Sequence, residues 1–106
     1  MAYGMSKAAL DLFTKSLALD LAPKQVRVNS VSPGIIETEV FSKLMPKEAI
    51  TPFLESAAVV YPLRKVGKPE EVAKAIAFLV SSESSFTTGV ILQLDGGAQL
   101  NTKVSP

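Results

Sequence analysis

Apolar positions divide this chain into three legible stretches and one that resists reading. From Ala2 to Leu21, the residues Leu10, Phe13, Leu17 and Leu21 recur at helical spacing, and Leu12 and Leu19 widen the stripe. The pattern predicts a helix buried on more than one side, stopped by Pro23. Residues 26–32 read V-R-V-N-S-V-S, short, Val-rich and partly alternating, which predicts a strand. Pro33-Gly34 ends it as a turn. Residues 67–71, G-K-P-E-E, predict a helix start, with Pro near the first helical position and two carboxylates where the helix dipole favours them. Val72, Ile76, Leu79 and Val80 mark its apolar face, and residues 81–85 close it. Residues 90–94, V-I-L-Q-L, predict a buried strand that ends in the turn Asp95-Gly96-Gly97. The tail 98–106 is polar and expected to be mobile.

Residues 35–63 are the stretch that resists reading. Pro46, Pro52 and Pro62 punctuate it. A helix over Lys47–Val60 requires Pro52 to sit at a break or a new start. The segment is either a lid over a ligand or an ordinary surface excursion, and composition alone favours the excursion. The two strands, joined through helices, predict a right-handed parallel crossover. No repeat, low-complexity segment or linker argues for two domains.

Composition narrows the chemistry. The chain has 106 residues, 47% hydrophobic and 20% charged, which excludes disorder, collagen and coiled coil. Eleven basic and ten acidic side chains leave a formal charge of +1, no footprint for nucleic acid or an anionic membrane. Cys and His are absent, which removes disulfides, thiolate nucleophiles, zinc fingers and Ser-His-Asp triads. No metal site is predicted. The longest apolar run, residues 75–80, falls far short of the ~20 residues of a membrane span. The first residues do not read as a signal peptide.

The candidate chemistry is Tyr3 with Lys7. Four residues apart on a helix, their Cβ atoms lie roughly 5–6 Å apart. A phenol titrates near pH 10 and must fall by about 2–3 pH units, or about 3–4 kcal/mol, to work near neutrality. An ammonium about 5 Å away, at an effective dielectric of ~20, supplies roughly 3 kcal/mol. Such a pair suits proton transfer at a carbonyl or alcohol oxygen. Taken alone it is weak, because two Tyr and nine Lys give this spacing by chance about one time in six. The bland alternative is an amphipathic Tyr and a solvated Lys at a helix start.

Order changes the weight. Tyr3-Gly4-Met5-Ser6-Lys7-Ala8-Ala9 is followed by Arg27-Val28-Asn29-Ser30-Val31-Ser32-Pro33-Gly34, with Thr38 four beyond the glycine. Then come Gly67-Lys68-Pro69-Glu70-Glu71-Val72-Ala73, Thr88-Gly89 and Asp95-Gly96-Gly97. This series closely resembles the C-terminal half of the short-chain dehydrogenase/reductase family, over almost the whole chain. The resemblance implies an α/β fold: part of a doubly wound, Rossmann-like domain, with helices and about two parallel strands over residues 1–97. It implies an oxidoreductase that moves a hydride between NAD(H) or NADP(H) and a small carbonyl or alcohol substrate.

By that resemblance Tyr3 is the acid/base, and Lys7 lowers its pKa and holds the nicotinamide ribose hydroxyls. Pro33, Gly34 and Ile36 form the turn against the nicotinamide ring, and Thr38 bonds its carboxamide or phosphate. Residues 35–63 become the substrate-binding loop, in which Phe41, Leu44, Met45, Phe53 and Leu54 suit either a hydrophobic substrate or simple packing. Asn29 and the Glu70-Glu71 pair are assigned structural roles. The family's Gly-rich phosphate loop, its NAD/NADP selector and its catalytic Ser and Asn have no counterpart here. The adenosine site is therefore missing from this sequence.

Two strands from a larger sheet imply an unpaired edge and an uncovered apolar helix face. The chain alone is expected to be inactive and weakly stable or self-associating. The first expectation is a piece of a longer oxidoreductase, with Met1 at an internal position. The alternative is an inactive short chain docked on full-length subunits. A third is a short chain that retains some ligand binding or Tyr/Lys proton chemistry. Homo-oligomers are common in the family. Cytoplasm is the default compartment, with mitochondrion and peroxisome open; the ending Val104-Ser105-Pro106 is not an S-K-L address.

Overall fold

The computed structural model describes residues 2–100, and side chains from residue 4 onward. In chain order the elements are α1 (Ala2–Leu21), β1 (Ser30–Pro33), α2 (Val40–Leu44), α3 (Lys47–Val60), α4 (Pro69–Val80) and β2 (Ile91–Leu94). Single 3-10 turns lie at Ala22–Lys24 and Ser82–Ser84. The two strands pair with each other. The Ser30 N–H donates to the Val90 carbonyl and the Gly34 N–H to the Leu94 carbonyl, both at 2.9 Å. The offset is the same at both ends, so the pair is parallel. This is a partial α/β fold. It divides into two compact units: one holds residues up to Ser32 with Ala75–Leu92, the other Pro33–Lys74 with the residues from Gln93.

In the first unit α1 has the predicted length, but a different face is buried. Thr14 and Ala18 are buried, and Lys7, Asp11 and Leu21 beside them are half-buried. Leu10, Leu12, Phe13 and Leu19 are all more than half exposed. The helix is therefore not buried on several sides. The reason is a close backbone approach: a Cβ on Gly89, at φ +75°, would stand 3.6 Å from the Ala18 Cβ. That contact wants small side chains, so the large apolar residues lie to its flanks.

The first strand starts later than its Val-rich pattern predicts, at Ser30 rather than residue 26. Side chains take the place of ladder bonds upstream. The Val28 N–H donates to Thr88 Oγ1, the Val90 N–H to Asn29 Oδ1, and Asn29 Nδ2 to the Thr87 carbonyl. Asn29 thus has the polar structural role expected of it. Nearby, Arg27 closes the C-terminus of α4. Its Nη1 donates to the Leu79 carbonyl and Ser84 Oγ, both at 2.9 Å, and to the Thr87 carbonyl at 3.3 Å. Its Nη2 donates to the Ser81 carbonyl at 3.0 Å. Carbonyls at a helix end have no partner within the helix, and the guanidinium fork satisfies them.

In the second unit the unreadable stretch is largely helical. α2 was not predicted. α3 runs straight through Pro52 and gives up one i→i−4 bond instead of breaking. The rings of Phe41 and Phe53 tie α2 to α3, with centroids 5.6 Å apart. The first turn of α4 is capped as its acidic pair predicts. Glu71 accepts the Lys68 N–H at 3.0 Å and pairs with Lys65 at 2.7 Å. Lys65, and then the Lys68 N–H, hold the Glu71 carboxyl below its ordinary pKa. After β2, Gly96 and Gly97 take positive φ, and Asp95 Oδ1 accepts the Gly97 N–H. Residues 98–100 are helical, and the rest of the predicted tail, 101–106, lies outside the described residues.

Candidate functional site

Tyr3 lies in α1 by its backbone, and its side chain lies outside the described residues. Lys7 is half-buried on the same helix. Its ammonium donates to the hydroxyl of Ser32, the residue before Pro33. Ser32 is itself buried. One turn on, the Asp11 carboxylate lies 3.8 Å from the Lys7 ammonium. The nearer Asp11 oxygen is shielded from solvent and makes no hydrogen bond. Ser32 and Asp11 therefore fix the direction of the ammonium from two sides. Neither partner was predicted, because both the Ser32 contact and the burial of that helix face depend on tertiary packing.

The turn after β1 belongs to the second unit. Four of its backbone groups are engaged. The Gly34 N–H goes to the Leu94 carbonyl, and the Ile35 N–H goes to the Tyr61 hydroxyl oxygen at 2.8 Å. The Glu37 N–H donates to the Gly67 carbonyl, and the Gly67 N–H returns a bond to the Ile35 carbonyl. This last exchange is a parallel bridge centred on Ile36 and Gly67. In such a bridge the flanking groups of one strand face the partner, so the N–H and C=O of Ile36 itself face away. Among the described residues neither has a hydrogen-bond partner. A donor and an acceptor thus stand open side by side at one peptide position.

Gly34 has no room for a side chain. A Cβ there would stand 2.8 Å from the Tyr61 hydroxyl and 3.2 Å from Asp95 Cα. Thr38 lines a cleft of about 730 Å³ with Glu39, Val40, Ile50 and Leu54. Of the apolar residues predicted for substrate contact, Leu54 reaches this cleft, Phe41 and Phe53 pack on each other, and Leu44 is exposed. A second, smaller cavity of about 330 Å³ lies beside Ile36, Tyr61, Val72 and Leu94. The prediction missed Tyr61. The only signal for it was an aromatic residue directly before Pro62, where the backbone is held extended. No group of carboxylates suited to a metal ion occurs among the described residues. None of their helices is long and apolar enough to cross a membrane.

Comparison with known proteins identifies the family. A family model described as enoyl-(acyl carrier protein) reductase matches residues 1–99. The chain is 46% identical over 95 residues to 3-oxoacyl-[acyl-carrier-protein] reductase FabG of Thermotoga maritima, covering 90% of this chain and 37% of that protein. It is 44% identical over 98 residues to carbonyl reductase family member 4 of Danio rerio, covering 92% of this chain and 37% of that protein. A solved short-chain dehydrogenase/reductase of unknown function from Caenorhabditis elegans, determined with cofactor, superposes with a TM-score of 0.83 at 40% identity. That match covers 98% of this chain and 41% of the other. The chain spans somewhat over a third of the length of these curated relatives. It belongs to the short-chain dehydrogenase/reductase family.

Proposed function

We propose that this chain carries the proton-transfer and nicotinamide-facing part of an NAD(P)(H)-dependent oxidoreductase acting on a carbonyl or alcohol carbon. The observation that carries the reading is the run of reductase and dehydrogenase relatives, 40–46% identical over 90% or more of the chain. A nicotinamide cofactor, when bound, supplies or takes up the hydride. The open peptide groups of Ile36 suit its end of such a molecule, because a carboxamide offers one acceptor and one donor group. Thr38 adds a hydroxyl two residues on. The sequence holds no Gly-rich phosphate loop, so the residues present fit the nicotinamide end and not the adenosine end.

In this reading Tyr3 gives a proton to the carbonyl oxygen during reduction and takes it back during oxidation. Lys7 favours the ionised phenol and holds the ribose hydroxyls. Ser32 and Asp11 keep its ammonium oriented. Pro33, Gly34 and Ile36 form the turn that lies against the nicotinamide ring. The substrate is a small carbonyl or alcohol compound, with Leu54 offering apolar contact. We assign the cytoplasm as the compartment, and self-association or assembly with full-length subunits as the working state. The exposed Leu10, Leu12 and Phe13 of α1 support that association.

The test uses the full chain that carries this sequence. Tyr3→Phe is expected to lower NAD(P)H-dependent reduction of aldehydes and ketones by about 10²–10⁴-fold with cofactor binding retained. Lys7→Met is expected to lower the rate and weaken cofactor binding together. Full activity in Tyr3→Phe, or no turnover of nicotinamide with any carbonyl compound, would overturn the assignment. The exposed apolar face of α1 also favours a second reading, an inactive chain docked on full-length subunits. Recovery of an active oxidoreductase containing this sequence in one polypeptide would exclude it.

A further inference from the structure

We infer that Tyr61 is a positioning residue for the nicotinamide seat, acting through the backbone turn and not by touching the reacting atoms. The inference rests on the reading above. Three main-chain groups around Ile36, the Gly34 N–H, the Ile35 C=O and the Glu37 N–H, are held by other main-chain groups, from Leu94 and Gly67. The remaining donor, the Ile35 N–H, has a side chain as its partner, the Tyr61 hydroxyl oxygen. The phenol reaches it because α3 ends at Val60 and Tyr61 takes an extended conformation before Pro62. The ring is braced at the same time: Cδ2 and Cβ of Tyr61 would lie 3.4 and 3.5 Å from a Cβ on Gly96. The hydroxyl sits where a Gly34 side chain would be. Tyr61 thus joins the turn after β1 to the turn after β2 and to the end of α3.

The physical consequence concerns direction. A peptide plane is rigid, and successive planes turn about two dihedrals per residue. Gly67 holds the two planes that carry the Ile36 N–H and C=O, through the Ile35 C=O and the Glu37 N–H. The Tyr61 bond to the Ile35 N–H holds the plane just before them, so the Ile36 groups are presented in one orientation. Without the phenol oxygen, the half-buried Ile35 N–H has no acceptor, and the Gly34–Ile35 plane can rotate to find one and draw the Ile35 dihedrals, and with them the next plane, out of line. The seat would then be present but unsteady. Such a loss affects a ligand that uses the Ile36 groups and leaves the rest of the cofactor site unaffected.

Tyr61→Phe in the full chain separates these effects, because it removes one oxygen and leaves the ring packed on Gly96. Binding is measured for reduced nicotinamide cofactor and for ADP-ribose, which lacks the nicotinamide. The expected result is that the variant binds the cofactor about five- to tenfold more weakly, the worth of one hydrogen bond, with ADP-ribose binding unchanged. Fluorescence of the bound reduced nicotinamide is expected to shift toward that of the free form. Equal weakening of both ligands, or of neither, would overturn the proposal and leave Tyr61 a structural prop. The underlying reading fails separately: it falls if the unmutated chain does not distinguish the cofactor from ADP-ribose.

Discussion

Two polar clusters in this chain use hydrogen bonds in opposite ways. Around Arg27, one guanidinium satisfies three carbonyls and a hydroxyl, and nearby Asn29 and Thr88 complete the backbone where ladder bonds stop. That cluster closes on itself and holds the end of α4 and the start of β1. Around Ile36 the N–H groups of Gly34, Ile35 and Glu37 and the Ile35 C=O are engaged, while Ile36 keeps both its N–H and C=O open. A structural cluster leaves nothing unsatisfied, because burying an unpaired polar group is costly. A turn proposed to bind a ligand keeps such groups open for it. The contrast, more than the number of bonds, is what distinguishes scaffold from proposed site.

The largest expected effect comes from breaking the closed cluster. Arg27→Ala removes one donor from each of three carbonyls and from a buried serine, the carbonyls keeping bonds from Ser84 and Asn29, and is expected to destabilise the full chain by about 2–3 kcal/mol. Arg27→Lys keeps the charge but loses the fork, and is expected to cost about half as much. Urea unfolding of both variants gives the comparison. Equal stability of Arg27→Ala and the parent chain would mean that the cluster is a consequence of the fold and not a support of it.

The glycines sharpen the contrast at the open turn. Gly34→Ala puts a methyl 2.8 Å from the Tyr61 hydroxyl and 3.2 Å from the Asp95 backbone. Backbone cannot yield cheaply, so about 2 kcal/mol of destabilisation is expected, together with displacement of the phenol. Gly67→Ala meets a nearer atom, Ile36 Cδ1 at 2.6 Å, yet that atom is the tip of a flexible side chain. Its cost is expected to stay under about 1 kcal/mol, partly offset by the lower entropy of the unfolded chain. Thermal unfolding of the two variants checks the order. If Gly67→Ala were the worse of the two, proximity rather than rigidity of the neighbour would set the cost.

Much of this was legible before the structure, for local reasons. The helix over Ala2–Leu21, the start of α4 and the turn at Asp95-Gly96-Gly97 all follow from spacing and from Pro, Gly and acidic punctuation. What was not legible depended on partners distant in the chain. Leu10 and Phe13 have the right period for a buried stripe, but Gly89 selects Ala18 instead, and Thr14 one turn before it is buried on the same face. The start of β1 depends on Thr88. Pro52 stays inside α3 although its ring favours a break. At the candidate site, the Tyr3–Lys7 spacing and the Pro33–Thr38 turn could be named from sequence. The roles of Ser32, Asp11 and Tyr61 could not, because each is defined by a contact between separate elements.

The smallest expected effect lies at the cap of α4, and its pH dependence gives it a distinct signature. Glu71 is held below its ordinary pKa by the Lys65 ammonium first and the Lys68 N–H second. A carboxyl whose pKa is lower in the folded state adds stability above its unfolded value, and that stability is lost as pH falls through the folded value. Glu71→Gln keeps an acceptor for the Lys68 N–H and removes the charge. The variant should therefore melt slightly below the parent near pH ~6, and the gap should close as pH falls toward ~3. Added salt should narrow the gap near neutrality, because the Lys65–Glu71 pair is exposed. A gap that stays constant with pH would assign the effect to side-chain packing. A gap that closes with acid but ignores salt would assign it to the hydrogen bond from Lys68 rather than to the ion pair.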